Sequence, residues 1–234
     1  IMGGSAVAPG SWPGIVSIQV TWNNGTWHMC VGSLVHPKWV LTVAHCFFGV
    51  RDFTEWQVVI GATDLTQLGP EAKVRHIQRL LVHQHYVPSL AKNDIALLEL
   101  DEPLECSDYV QLACVPDVSL RVSELKSCYI AGWGSTVAKR CLPARVSLLS
   151  QGEVQALDPT PILAIPHFSL VLQQPPTHPE PSLLPQGDSG GPLVCKDNIG
   201  DYFWLVGMTS WGKDCSGTKR LGIFTHVQHF YKWI

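Results

Sequence analysis

Apolar residues along the chain gather in short runs of β-branched and aromatic side chains, punctuated by Gly, Pro, Asn and Asp. Such runs occupy 15–20, 31–35, 39–42, 58–61, 77–82, 95–100, 127–131, 193–195, 202–210 and 222–227. Runs of this length between turn residues predict strands, and their number predicts an all-β barrel or sandwich. Only 227–234 reads as a helix, packing Phe230 and Trp233 against the body of the protein. No repeat of solenoid period is present.

One stretch departs from this texture. Residues 153–186 contain no Gly, Cys, Trp, Tyr, Lys or Arg, yet hold Pro159, Pro161, Pro166, Pro175, Pro176, Pro179, Pro181 and Pro185. Proline fixes its own backbone and lacks the N–H that a ladder needs, so this density predicts a long irregular loop or disordered insert.

A chain of 234 residues is long enough for one large domain or two barrels of about 100 residues each. The net charge of −3 offers no electrostatic footprint for nucleic acid or an anionic membrane. No apolar run approaches the roughly 18 residues of a membrane-spanning helix. Eight cysteines without C-x-x-C pairs or zinc-type spacing indicate disulfides and an oxidising, secretory compartment. The sequon at Asn24 agrees with that compartment. A chain beginning at Ile1 reads as one from which a leader and propeptide have been removed, or as a fragment.

The candidate chemistry centres on Gly187-Asp188-Ser189-Gly190-Gly191-Pro192. A glycine-flanked turn lets backbone approach a substrate carbonyl while the Ser189 hydroxyl stays accessible. A serine hydroxyl needs a base, and an imidazole suits the task near neutral pH. His45 in Thr42-Val43-Ala44-His45-Cys46 supplies one, and Asp94 in Asn93-Asp94-Ile95-Ala96-Leu97 supplies a carboxylate to orient it. Taken singly, His45 could be a core histidine beside a disulfide, and Asp94 and Ser189 ordinary turn residues. Together, in the order His, Asp, Ser and with these flanks, they indicate a triad. His83-x-His85 offers two imidazoles but no credible third zinc ligand, so no metal and no cofactor are predicted.

These residues, with Ile1-Met2-Gly3-Gly4, Ala131-Gly132-Trp133-Gly134, Ser210-Trp211-Gly212 and Trp233-Ile234, resemble the chymotrypsin-fold (trypsin-like) serine peptidases. Within that family the chain is most similar to the acrosin group, on Pro103-Leu104-Glu105-Cys106, Cys114 and Cys195-Lys196-Asp197. The resemblance covers 1–152 and 187–234. It implies two six-stranded antiparallel β-barrels packed face to face with a short C-terminal helix. Residues 1–117 would carry His45 and Asp94, and 118–234 would carry Ser189 and the irregular 153–186.

The resemblance also implies roles. Ser189 attacks the scissile carbonyl, His45 shuttles the proton, and the N–H groups of Gly187 and Ser189 form the oxyanion hole. Ser210, Trp211 and Gly212 make one wall of the substrate slot and Gly222 the opposite wall, with Leu183 and Gln186 near its floor. The Ile1 ammonium pairs with Asp188 after cleavage of a precursor. Met2 and Val43, in place of commoner residues, are minor changes. Cys30 pairs with Cys46 and Cys128 with Cys195, while Cys106 and Cys114 hold a short light chain. Implied partners are protein substrates, egg-coat glycoproteins and serpin- or Kazal-type inhibitors, in a secreted or acrosomal setting around fertilisation.

The pattern fails just before the serine motif. Family members read Asp-x-Cys-Gln where this chain has Leu183-Leu184-Pro185-Gln186. Leu183 replaces the carboxylate that receives substrate Arg or Lys, and a guanidinium buried there unpaired costs roughly 3–5 kcal/mol. Pro185 replaces the partner of Cys215, and Cys141 has no family partner either. A further family disulfide, due within 153–186, is missing, and each lost bridge costs roughly 2–5 kcal/mol. The four residues are what a pyrimidine-rich tract ending in CAG encodes, so translated intron is one origin for the segment. A protease homologue with impaired catalysis, binding glycoprotein or protein on the same scaffold, is the alternative reading.

Overall fold

The computed structural model describes residues 5–22, 25–133, 153–157, 163–165, 169–174, 187–213 and 220–234. The architecture is all-β, with short 3₁₀ turns in place of longer helices among these residues. Each of the ten predicted runs forms a strand, its ends moved by a few residues.

The first half is a closed barrel of β2 (Ile15–Trp22), β3 (Gly25–His36), β4 (Trp39–Thr42), β5 (Trp56–Ile60), β6 (Lys73–Val82) and β7 (Ala96–Leu100). The order around it is β2-β3-β4-β7-β6-β5, antiparallel throughout. Closure leaves every strand with two neighbours, so no ladder edge faces solvent. The barrel is filled from alternate positions, among them Val16, Ile18, Leu34, Val40, Val58, Leu98 and Leu100.

The second half is an eight-stranded antiparallel sheet. It combines β1 (Ser5–Ala6), β8 (Cys128–Gly132), β9 (Glu153–Leu157), β10 (Leu163–Ile165), β11 (Ser169–Gln174), β12 (Pro192–Lys196), β13 (Phe203–Lys213) and β14 (Arg220–His226). Their order is β1-β9-β8-β12-β13-β14-β11-β10. The count exceeds the six expected because β1 adds to the free side of β9, and β10 folds back on β11.

Two expectations need correction here. The 153–186 stretch is not wholly irregular, since β9, β10 and β11 lie within it and pair with β8 and β14. The reason is positional: none of the three strands contains a proline, since Pro159, Pro161 and Pro166 fall between them and the other five follow β11. The C-terminal helix is shorter than 227–234, a 3₁₀ turn over Val227–Phe230 that buries Val227 and Phe230.

A shared apolar layer joins the halves. Leu41, Val43, Ile95 and Leu97 of the barrel pack with Val194, Leu205, Met208, Val227 and Phe230 of the second sheet. Hence β4 sends Val40 into the barrel and Leu41 into this layer, as the two-residue period of a strand requires. A second seam joins Val31 and Val59 to Trp133. The chemistry sits where these layers meet the ends of β4 and β7.

Candidate active site

β4 and β7 are antiparallel neighbours, with Thr42 opposite Ala96. His45 lies three residues beyond Thr42, in the 3₁₀ turn Ala44–Phe47, and Asp94 lies two residues before Ala96. The ladder therefore brings them to the same end of the barrel from distant points in the chain. The His45 ring donates from Nδ1 to Asp94 Oδ2 at 2.7 Å, and its backbone N–H donates to Oδ1 at 2.8 Å. One carboxylate thus fixes both the ring and the backbone of the base.

Asp94 is buried, so its lost hydration has to be replaced by donors. Ser210 Oγ supplies a third hydrogen bond, to Oδ2 at 2.5 Å, and Thr225 Oγ1 donates to the Asp94 carbonyl at 2.8 Å. Both come from the second sheet, so the carboxylate is gripped from both halves. Its charge also reaches Tyr86: burial first, and Asp94 second, push that phenol up to about 12. The side chain of His45 remains about one-third exposed.

Ser189 sits in the turn leading into β12, and backbone bonds to both halves hold it. Val31 N–H of β3 donates to the Ser189 carbonyl at 2.8 Å. Gly190 N–H donates to Thr209 O at 2.7 Å, and Thr209 N–H returns a bond to Gly191 O at 2.8 Å. Gly190 has a φ of +81°, and a Cβ there would run into Val31 O and Thr42 Oγ1. Only glycine lets the serine turn lie this close to β3 and β4. Gly187 also has positive φ, at 103°, which sets its peptide in an orientation that side-chain-bearing residues avoid.

Thr42, three residues before the base, donates from Oγ1 to Val31 O at 2.7 Å. The Cys30–Cys46 disulfide joins the residue before Val31 to the residue after His45. Base, orienting carboxylate and serine backbone are thus tied to one corner of the barrel. An imidazole oriented by a buried carboxylate in this way is suited to act as a general base. A comparison with known protein families then matches the trypsin family over residues 1–234. The chain belongs to the trypsin family.

Membership makes it a serine protease domain with protein substrates, and the remaining sites can be placed against that. Cys128–Cys195 staples β8 to β12, and Cys106 and Cys114 are exposed free thiols. Asp188 is buried, its Oδ1 against Gly132, where a Cβ would come within 2.6 Å. Ser210, Trp211 and Gly212 lie on β13, and the Ser210 hydroxyl is bonded to Asp94. Gly222 lies on β14 as the ladder partner of Gly212. Ile1, Asn24, Leu183, Gln186, Cys141 and Cys215 lie outside the described residues. The His83 and His85 rings pack 5.8 Å apart, and His83 also meets Phe230 and Trp233. Among the described residues no group of three side chains is arranged to hold a metal.

Sequence reasoning missed His28 and Thr225. His28 is buried on β3, with Nδ1 2.8 Å from Ser17 Oγ and Nε2 2.8 Å from the Gly187 carbonyl. Its available signal was a polar side chain two residues before Cys30, on a strand whose other buried side chains, Ser33 apart, are apolar. Thr225 carried none, since threonine is ordinary in any strand.

Proposed function

We propose that the chain is an acrosin-like serine endopeptidase, cleaving protein substrates through an acyl-enzyme with Ser189 as nucleophile, His45 as base and Asp94 orienting the base. The observation that carries this is the doubly bonded Asp94–His45 pair, at the corner where the Ser189 carbonyl is bonded to Val31. In this reading Ser189 Oγ adds to the carbonyl as its proton passes to His45. The tetrahedral oxyanion is received by the N–H groups of Gly187 and Ser189, and His45 then protonates the leaving amine. A fluorophosphonate probe should label Ser189, and Ser189→Ala and His45→Ala should each abolish labelling. A well-folded wild type that takes no label at any pH would leave the alternative, a binding protein built on this scaffold.

The finer reading rests on softer support. Cys106 and Cys114, both exposed and both without a disulfide, suit attachment of a short light chain. The setting is secreted or acrosomal, with egg-coat glycoproteins as partners and serpin- or Kazal-type proteins as inhibitors. Activation pairs the Ile1 ammonium with Asp188, which is already buried beside the serine. With Leu183 in place of the floor carboxylate, cleavage of a mixed peptide library should lack the Arg/Lys preference of related enzymes, by about a hundredfold or more.

A further inference from the structure

A chain of polar groups lies along the outer face of the first barrel, on β2 and β3, and ends on the serine turn. Gln57 Nε2 donates to Gln19 Oε1 at 3.1 Å, and Gln19 Nε2 donates to Ser17 Oγ at 3.0 Å. Ser17 Oγ lies 2.8 Å from His28 Nδ1, and His28 Nε2 lies 2.8 Å from the Gly187 carbonyl oxygen. Ser17, Gln19 and His28 are all buried within β2 and β3. A series of buried polar groups costs stability unless each is satisfied, so the series needs a reason.

The directions are fixed by elementary chemistry. A carbonyl only accepts, so His28 must carry its proton on Nε2 and donate it to Gly187. Burial pushes the imidazole down to about 4, so the ring is neutral near pH 7 and Nδ1 is an acceptor. Ser17 therefore donates to Nδ1, leaving its lone pairs for the Gln19 amide. Every donor points the same way, from Gln57 through Gln19, Ser17 and His28 to Gly187, and each bond strengthens the next. The indole of Trp133 braces the ring edge-on at 5.7 Å and is itself tied to Thr63 O at 2.9 Å.

We infer that His28 is a positioning residue for the oxyanion site: by holding the Gly187 carbonyl from behind, it fixes the Gly187–Asp188 peptide, which lies between the two N–H groups presented to the substrate oxygen. Gly187 has a positive φ and no side chain, so its own sterics leave the peptide free to rotate. The His28 bond supplies the missing restraint. Ser17 and Gln19 act one and two steps further back, by keeping the ring in the tautomer that donates. This rests on the assignment of Gly187 to the oxyanion hole.

The test compares fluorophosphonate labelling rates in the wild type, His28→Phe, His28→Gln and Gln19→Leu, alongside melting midpoints and the downfield NMR resonance of the His45 Nδ1–H. His28→Phe fills the space without a donor and should slow labelling about ten- to a hundredfold, below the loss for deleting an oxyanion donor outright. His28→Gln places an amide N–H at the reach of Nε2 and should stay within about threefold of wild type. Gln19→Leu should cost a few-fold, and all variants should keep the downfield resonance, since the Asp94–His45 pair is untouched. Equal labelling by the wild type and a folded His28→Phe would overturn the inference. So would a His28→Gln as slow as His28→Phe at the same melting midpoint. If His28→Phe fails to fold, the Gln rescue and the Gln19→Leu loss decide the matter. An unlabelled wild type would instead overturn the peptidase reading, and this inference with it.

Discussion

The two halves of the molecule hold their share of the chemistry in different ways. His45 and Asp94 stand at the end of a closed barrel, on neighbouring strands whose ladder sets their spacing. Ser189 stands in a turn of an open sheet whose outer strands are short and come partly from the proline-dense segment. Yet the serine turn is not left to that sheet. It is bonded to Val31 of the barrel, to Thr209 of its own half and, through Gly187, to His28. A closed ladder sets the spacing of the pair, with Ser210 and Thr225 adding to the hold on Asp94, whereas the turn takes its place from bonds outside its own sheet.

The sharpest way to break this comparison is at the base. Asp94→Asn keeps the shape but puts a donor where an acceptor holds the imidazole tautomer, so kcat should fall about ten thousandfold. The melting midpoint should move far less, because the barrel ladder remains. Measuring both on one preparation separates orientation from folding. Next comes the serine turn: Gly190→Ala sets a Cβ against Val31 O and Thr42 Oγ1 at a positive φ. Probe labelling should be lost and stability should drop by about 1–3 kcal/mol or more in urea titration, whatever the state of the outer strands. A labelled Gly190→Ala would mean that the clamp on β3 does not position Ser189.

Two further experiments sharpen the picture at lower magnitude. The Cys30–Cys46 bridge closes a loop of sequence separation 16, worth about 3 kcal/mol, so replacing both cysteines with serine should lower the urea midpoint accordingly. His28 gives a pH signature. Its folded pKa of about 4 lies below the ordinary imidazole value near 6.5, so the unfolded chain binds the proton first. Its contribution is complete above about pH 6.5 and fades as pH falls, amounting to about 3 kcal/mol by the time the folded pKa is reached. Urea midpoints at pH 7 and pH 5 should differ less in His28→Gln than in the wild type. Arg79→Ala is the smallest case. Arg79 is largely exposed, bonded to Glu99 at 2.8 Å and stacked over Trp39, and its loss should cost about 1 kcal/mol or less.

Much of the barrel was legible in the sequence because its strands announce themselves by β-branched runs between turn residues. The three candidate catalytic residues, His45, Asp94 and Ser189, were legible because each sits in a short motif whose flanks are also informative. The strands of 153–186 were not, for a definite reason. A proline tally over the whole stretch hides where the prolines fall, and they fall in the connections. Nor does sequence reveal the support behind the site. Ser17, Gln19 and His28 look like ordinary polar interruptions of two strands, and the partner that gives them meaning, Gly187, is 159 residues from His28. The motif around Ser210 points to a substrate-lining strand and says nothing of its hydroxyl, whose bond to Asp94 depends on how the two halves dock.

Strand β3 carries His28, Cys30 and Val31 within four positions, tied in turn to Gly187, Cys46 and Ser189. Beside them the β2–β3 ladder skips Met29, passing from Ile18–Cys30 to Gln19–His28. That skip works like a notch on a key: it sets the phase of three attachments together. Adding or removing a single residue beside it would shift all three out of phase at once, so insertions here should be all-or-none where those in the outer loops are graded.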